Sequence, residues 1–378
     1  MAHGQDGDRD RLAALLGLAE LPGIGASRLR LLVSTFGDAL GAVRAPHAVI
    51  ARLPGFSQAG ATAVRAVSLD RGRTVLAALD RLGARALVPE DERFPALLKE
   101  IPEPPAVLFV WGDDALLSRP AAAMVGSRDH TPYGADVARR LAGGAARAGV
   151  VVVSGMARGI DAVAHTAALD AGGASVGVLG NGFGVIYPAA NRALYERMVR
   201  SGCLVTEFTP GERPHAGAFP RRNRLISGLA MVTVVIEAAA GSGTHLTADA
   251  ALDQGRSVLA VPGPITSPTS VGTNRLIQHG AKPALSVGDV LEELGMARPA
   301  EDGSSGSVAT PGRRPGVSPP DLSPLQRALW IAIADEPKHV DALVAAAGGD
   351  PAPVLSALTE MELGGIVAQR PGMVFALV

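Results

Sequence analysis

Glycine, arginine and small hydroxyl residues gather at six points in the middle of this chain, each at the end of a short apolar run. They are Gly126-Ser127-Arg128, the stretch Ser154-Gly155-Met156-Ala157-Arg158-Gly159-Ile160-Asp161, and Gly180-Asn181-Gly182. Thr206-Glu207 leads to Phe219-Pro220-Arg221-Arg222-Asn223-Arg224, Glu237 precedes Gly241-Ser242-Gly243-Thr244, and the last point is Pro262-Gly263. Glycine lets backbone approach a ligand closely, and free N–H groups at helix starts favour anions. Arginine grips phosphate with a planar fork and stacks on bases. Together these residues suit one broad cleft for a polyanion.

Other chemistries fit less well. A dinucleotide site needs G-x-G-x-x-G after the first strand and an acidic residue ending the second. Here the first turn is Gly-Ser-Arg and the second run ends in Ser154. No G-x-x-x-x-G-K-[ST] is present, so no Walker-type ATP loop is expected, and no cofactor is expected. Asp161 and His165 at i,i+4, with Ser154 nearby, form a conceivable nucleophile–base–orienter set. The plainer reading has Asp161 capping a helix and His165 bonding locally. Glu207 and Glu237 are a conceivable carboxylate pair, and more simply they anchor loops or oppose the arginines.

The elements that must position these residues follow from periodicity. Ala121–Val125, Val150–Val153, Ala174–Leu179, Cys203–Thr206, Val232–Ile236 and Val258–Val261 are near-continuous apolar runs, as in strands buried on both faces. Amphipathic stretches fall between them, among them Tyr133–Ala148, Asp161–Ala171 and Asn191–Ser201. Alternating strands and helices predict an α/β, Rossmann-like, doubly wound parallel sheet, with ligands outside the carboxyl ends of its strands. The arginine run 221–224 is placed in a strand-end loop, framed by Phe219-Pro220 and anchored by Leu225-Ile226, with Arg128 and Arg158 converging on the same edge. Aromatic residues are only 3% of the chain, which leaves arginine stacking as the main contact to bases.

At 378 residues two or three domains are expected, at roughly 100–200 residues each. The divisions are a helical module over 1–75, the α/β domain over 76–298, a Gly/Ser/Pro-rich disordered linker over 299–320 and a small domain over 321–378. Lysine occurs at Lys99, Lys282 and Lys338 alone, and the net charge of −1 confines any nucleic-acid site to a local patch. The single Cys203 excludes internal disulfides. The polar start and the shortness of Leu229–Ile236, against the ~20 residues of a membrane span, predict a cytoplasmic protein with no membrane contact.

In the first module, Leu21-Pro22-Gly23-Ile24-Gly25 with Arg28 and Arg30 looks like a helix-hairpin-helix, and Leu53-Pro54-Gly55-Phe56 like a second hairpin. A sterile-alpha-motif-like module for protein contacts fits equally. The last domain reads as a winged helix, with helices over Pro324–Ala334, Val340–Ala346 and Pro351–Leu363 and a wing at Val374–Leu377. Its third helix carries Glu360 and Glu362 and no basic residue, so no reading of duplex sequence is expected.

The central motifs, taken in order and spacing, resemble the DNA-processing protein A (DprA/Smf) family. They are Gly126-Ser127-Arg128, Ser154–Asp161 with Ala164-His165, Tyr187-Pro188 with Asn191, and Phe219–Arg224 with Ile226. They continue through Glu237-Ala238, Thr247-Ala248, Val261-Pro262-Gly263 and Gly272-Thr273-Asn274 with Leu276-Ile277 and Gly280-Ala281. The resemblance implies a homodimer that binds single-stranded DNA, protects incoming strands and loads the RecA recombinase during natural transformation, without enzymatic activity. It implies a pocket of Arg128, Arg158, Phe219, Arg222, Asn223 and Arg224. The strand-end turns add Gly126, Ser127, Ser154, Gly155, Gly159, Asn181 and Arg221 to the expected DNA-binding set. The alternative is a nucleotide-processing enzyme of the related Rossmann proteins that cleave base from ribose phosphate.

Overall fold

The computed structural model describes residues 2–297, 322–334, 337–370 and 373–377. The chain divides into two compact units, Met1–Pro299 and Ala300–Val378. The linker expected over 299–320 lies outside the described residues.

Six helices open the first unit: α1 (Ala2–Ala19), α2 (Ala26–Phe36), α3 (Ala39–Arg44), α4 (His47–Ile50), α5 (Gln58–Arg65) and α6 (Leu69–Leu82). The two Leu-Pro-Gly turns join α1 to α2 and α4 to α5, and Gly23 and Gly55 both take positive φ. The Arg28 guanidinium donates to Gly23 O and lies against Gly55. Ser68 caps α6, accepting from Asp70 N–H, and Leu76 and Leu79 of α6 join Leu15, Leu16 and Leu18 of α1 in one core. The expected boundary at 75/76 falls inside this helix, because the apolar face of α6 continues to Leu79.

The α/β part follows as β1 (Arg85–Leu87), α7 (Ala96–Lys99), β2 (Leu108–Gly112), β3 (Ala121–Val125), α8 (Pro132–Arg147), β4 (Val151–Ser154), α9 (Ile160–Asp170), β5 (Ser175–Val178), α10 (Arg192–Ser201), β6 (Cys203–Thr206), α11 (Ala218–Gly228), β7 (Val232–Val235), α12 (Thr244–Asp253), β8 (Ser257–Ala260), α13 (Val271–Gln278), β9 (Lys282–Pro283) and α14 (Val287–Glu293). The sheet order is β1-β2-β6-β5-β4-β3-β7-β8-β9. Strands β6 through β9 of that order run parallel, while β1 and β2 add an antiparallel edge.

Strand period 2 divides each strand between two cores. Ala122, Met124, Val152 and Val234 face α8, α9 and α14, whereas Ala121, Ala123, Val125, Val153 and Val235 face α11 and α12. Strand order reverses between β3 and β7, which makes the crevice at the carboxyl ends of β3 and β7 the topological switch point.

The second unit contains α15 (Pro324–Ala334), β10 (Lys338–His339), α16 (Val340–Ala346), α17 (Pro351–Leu363), β11 (Val367–Arg370) and β12 (Val374–Leu377), with an antiparallel sheet ordered β10-β12-β11. This is a winged helix. Ser323 Oγ accepts from Gln326 N–H, and Asp350 accepts from Ala352 N–H, each just before a proline at the start of a helix. Glu360 accepts from Gln326 Nε2 at 2.8 Å and Glu362 from Gln369 N–H at 2.9 Å. No single helix among the described residues is long and apolar enough to cross a membrane.

Candidate functional site

The site is built on the carboxyl ends of β3, β4, β5 and β7. Glu237, just past β7, ties two of its loops together. Its carboxylate accepts from Thr131 N–H at 3.0 Å and Thr131 Oγ1 at 2.5 Å, and from Thr269 Oγ1 at 3.3 Å. Thr131 in turn caps α8. Glu207, past β6, accepts from Arg224 Nη2 at 2.5 Å and lies 3.6 Å from Arg221. Both glutamates are therefore structural anchors of the kind the simpler reading expected.

The turn after β4 is held from below. Asp161 does not cap α9, whose N-cap position is Gly159. It reaches back instead, and its Oδ2 accepts from Gly155 N–H at 3.1 Å and Ala157 N–H at 3.4 Å. Burial pushes the Asp161 carboxyl up, while the Arg222 charge and the Ala157 N–H pull it back down. His165 accepts from Met156 N–H at Nε2, and Nδ1 lies 2.7 Å from Ser175 Oγ, which donates to Val152 O. This pattern requires neutral His165 with its proton on Nδ1. Burial and then the Arg222 charge lower its pKa to about 3. Ser154 Oγ is buried and donates to Met124 O at 2.6 Å. Ser154 and His165 thus serve separate backbone contacts, and Asp161 braces the 155–157 turn while also meeting the Ser154 hydroxyl.

The arginines divide by role. Phe219–Arg224 is not a loop: it forms the first turns of α11, where Pro220 is tolerated because the opening helical positions need no N–H partner. The helix turns the run inward. Arg222 is only 5% exposed, and its Nη1 donates to Gly155 O and to Val178 O at 2.9 Å. A Cβ at Gly155 would overlap Arg222 Nη1 and stand 2.8 Å from Asp161 Oδ2, so glycine is required between them. Burial pushes Arg222 down, Asp161 holds it up, and a guanidinium stays protonated at neutral pH. Arg224 is committed to Glu207, and Arg221 lies 5.0 Å over the buried Phe208 ring.

Arg128 and Arg158 remain available at the rim. Arg128 lies 5.5 Å over the Phe219 ring, and Arg158 has a side chain 64% exposed, 3.5 Å from Asp129. Gly159 (φ +84°) brings the next turn against this one, since a Cβ there would strike Ser127 O and Arg128 O. Ser127 Oγ accepts from Asp129 N–H at 3.1 Å.

Two cavities open here. The first, about 240 Å³, is lined by Arg128, Arg158, Arg222, Asn181, Tyr187 and Phe219 among others. The second, about 470 Å³, has Gly126, Ser127, Arg128, Arg222, Asn223 and the 239–247 segment in its wall. Both are lined by Arg128, Ala157, Phe219 and Arg222. Gly155 lines the first cavity, whereas Ser154, Gly159, Arg221 and Arg224 line neither. Asn181 is buried and donates to Gly182 O and Val185 O, ordering its loop.

Two contributors lie outside the expected DNA-binding set, although Ser242, Gly243 and Thr244 stand among the strand-end residues read as one cleft. Tyr187, 45% exposed, lies with its ring centre 5.9 Å from that of Phe219, extending the platform. Ser242, Gly243, Thr244 and Thr247 wall the second cavity. The exposed aromatic of Tyr187-Pro188 in an aromatic-poor chain, and the Gly-Ser-Gly-Thr after β7, were the available signals.

Comparison with known proteins agrees with this architecture. The family pattern described as DNA recombination-mediator protein A matches residues 85–295, and that of the DprA winged helix domain matches 313–373. The chain is 40% identical over 291 residues to Protein Smf of Escherichia coli, covering 76% of each. It is 42% identical over 221 residues to DNA processing protein DprA of Bacillus subtilis, covering 58% of this chain and 74% of that one. The X-ray structure of DNA processing protein A from Streptococcus pneumoniae matches with a TM-score of 0.61 and 32% identity, over 76% of this chain and 96% of that one. DNA processing protein A from Helicobacter pylori, described for its single-stranded DNA binding mode, matches with a TM-score of 0.51 and 28% identity over 56% and 95%. On these grounds the chain belongs to the DNA recombination-mediator protein A (DprA/Smf) family.

Proposed function

We propose that the strand-end cleft binds single-stranded DNA without cleaving or modifying it. The observation that carries this reading is the Tyr187–Phe219–Arg128 cluster, with tilted rings and the guanidinium over Phe219, lining a cavity together with Arg158 and Arg222. Aromatic and guanidinium planes stack on unpaired bases, worth about 1–3 kcal/mol per base, and a duplex keeps those base faces covered. Binding rather than catalysis is supported by the nearby carboxylates. Glu237 and Asp161 are committed to internal donors, Glu207 pairs with Arg224 through one of its oxygens, and the Ser154 hydroxyl is committed to Met124 O.

Family membership supports the wider role. The protein protects incoming strands in the cytoplasm and, as a homodimer, delivers them to the RecA recombinase during natural transformation. Arg128, Arg158 and Phe219 touch the strand, while Arg222, Asn181, Gly155 and Gly159 hold the cleft in shape.

The test is binding of labelled oligo-dT and of a duplex of equal length, by wild type and by Phe219→Ala. A strand preference that falls about tenfold in the variant is expected. Equal affinity for both DNAs, unchanged in Phe219→Ala, would refute the reading. Release of free base from nucleoside monophosphates would replace it with the hydrolytic alternative.

A further inference from the structure

The second cavity sits at the switch point between β3 and β7, the position where open α/β sheets hold their ligands. One wall is the amino end of the ten-residue helix α12, whose dipole favours an anion. Ser242 shapes that end, since its Oγ accepts from Thr244 N–H at 3.3 Å and donates to Thr244 Oγ1 at 3.0 Å.

Thr247 supplies an independent observation. It is 2% exposed and lines the cavity, and its hydroxyl has no hydrogen-bond partner among the described residues. Thr247 therefore presents a donor suited to an acceptor arriving from outside. Arg128 and Arg222 add two positive charges to the same cavity, against the one carboxylate of Asp161, which already accepts from Gly155 and Ala157.

We infer that this second cavity is a phosphate subsite, with the amino end of α12, Thr247 and Arg128 as its donors. The inference rests on the strand-binding reading above. A base lies on Tyr187 and Phe219 in the first cavity, its phosphate enters the second, and Arg128 lines both.

The test uses the full chain and labelled oligo-dT. Thr247→Val removes the hydroxyl at nearly constant shape, and Thr247→Ser keeps it. Affinity falls about tenfold in Thr247→Val and holds in Thr247→Ser. At fixed ionic strength, inorganic phosphate and thymidine monophosphate displace the oligonucleotide, thymidine does not, and Thr247→Val blunts the displacement. Comparing oligo-dT with and without a 5′-phosphate identifies the source. Equal loss in both assigns the subsite to internal phosphodiesters, and loss confined to the phosphorylated strand assigns it to a terminal phosphate.

A Thr247→Val protein with wild-type melting and wild-type affinity would overturn the subsite while the Phe219→Ala effect still supported strand binding. Equal losses in Thr247→Ser and Thr247→Val would also overturn it. Should wild type fail to bind oligo-dT, the strand reading falls. The subsite is then judged by ³¹P line broadening of inorganic phosphate, expected with wild type and absent with Thr247→Val; no broadening with wild type would sink it too.

Discussion

The Arg128 guanidinium lies 5.5 Å over the Phe219 ring, and both residues line both cavities. Neither side chain is an independent contact: each orients the other. Arg128→Ala and Phe219→Ala are therefore expected to be non-additive in oligo-dT affinity. A double-mutant cycle should give a coupling of about 0.5–2 kcal/mol. Additive losses would mean that the two residues meet the strand separately.

Arg222 belongs to the frame. It joins the ends of β4 and β5 through Gly155 O and Val178 O and faces the buried Asp161. Arg222→Ala leaves Asp161 buried without its countercharge, at a cost of about 3–5 kcal/mol. Thermal melting should fall by roughly 10 °C. A variant that melts like wild type yet loses DNA binding would make Arg222 a direct contact instead.

His165 makes stability depend on pH. Its folded pKa is about 3, against an ordinary value of 6.5. Above pH 6.5 both states are neutral at this residue, and its contribution is complete. As pH falls from 6.5 towards 3 the unfolded chain takes a proton that the native chain refuses, so stability is lost on acidification. At pH 5 the loss is about 2 kcal/mol. Asp161, pushed up by burial, contributes with opposite sign, so the informative quantity is the difference between wild type and His165→Gln. Denaturant unfolding should show wild type losing about 2 kcal/mol more than His165→Gln between pH 7 and pH 5. Identical pH dependence in both proteins would refute the assignment.

The winged helix is not expected to read duplex sequence. Its third helix presents no basic residue, and Glu360 and Glu362 accept hydrogen bonds from Gln326 and Gln369 inside the domain. A chain ending at Pro299 should keep oligo-dT affinity within about twofold of the whole protein. A large loss on truncation would place a DNA contact in the second unit.

Much of this architecture was legible in the residues. Ala121–Val125 and Cys203–Thr206 read correctly to the residue because both faces of each strand are apolar and their ends are marked by turn residues. The three helices over Pro324–Leu363 also read correctly, because Ser323-Pro324 and Asp350-Pro351 mark two of their starts. Leu108–Gly112 was missed: its antiparallel pairing with β6 lies outside the alternating strand–helix pattern. Pro220 suggested a loop where the chain forms a helix start, and that difference turns Arg222 from a surface contact into a buried brace. Convergence of Tyr187 with Phe219, or of Thr247 with Arg128, depends on the order of strands across the sheet, which no local pattern encodes.

The most direct test of the account is the salt dependence of oligo-dT binding by wild type, Arg128→Ala and Arg158→Ala. If the rim arginines meet phosphates, each variant binds more weakly and its log–log salt slope shrinks by about 0.7. Wild-type affinity and slope in both variants would contradict the account and move the DNA site away from the strand ends.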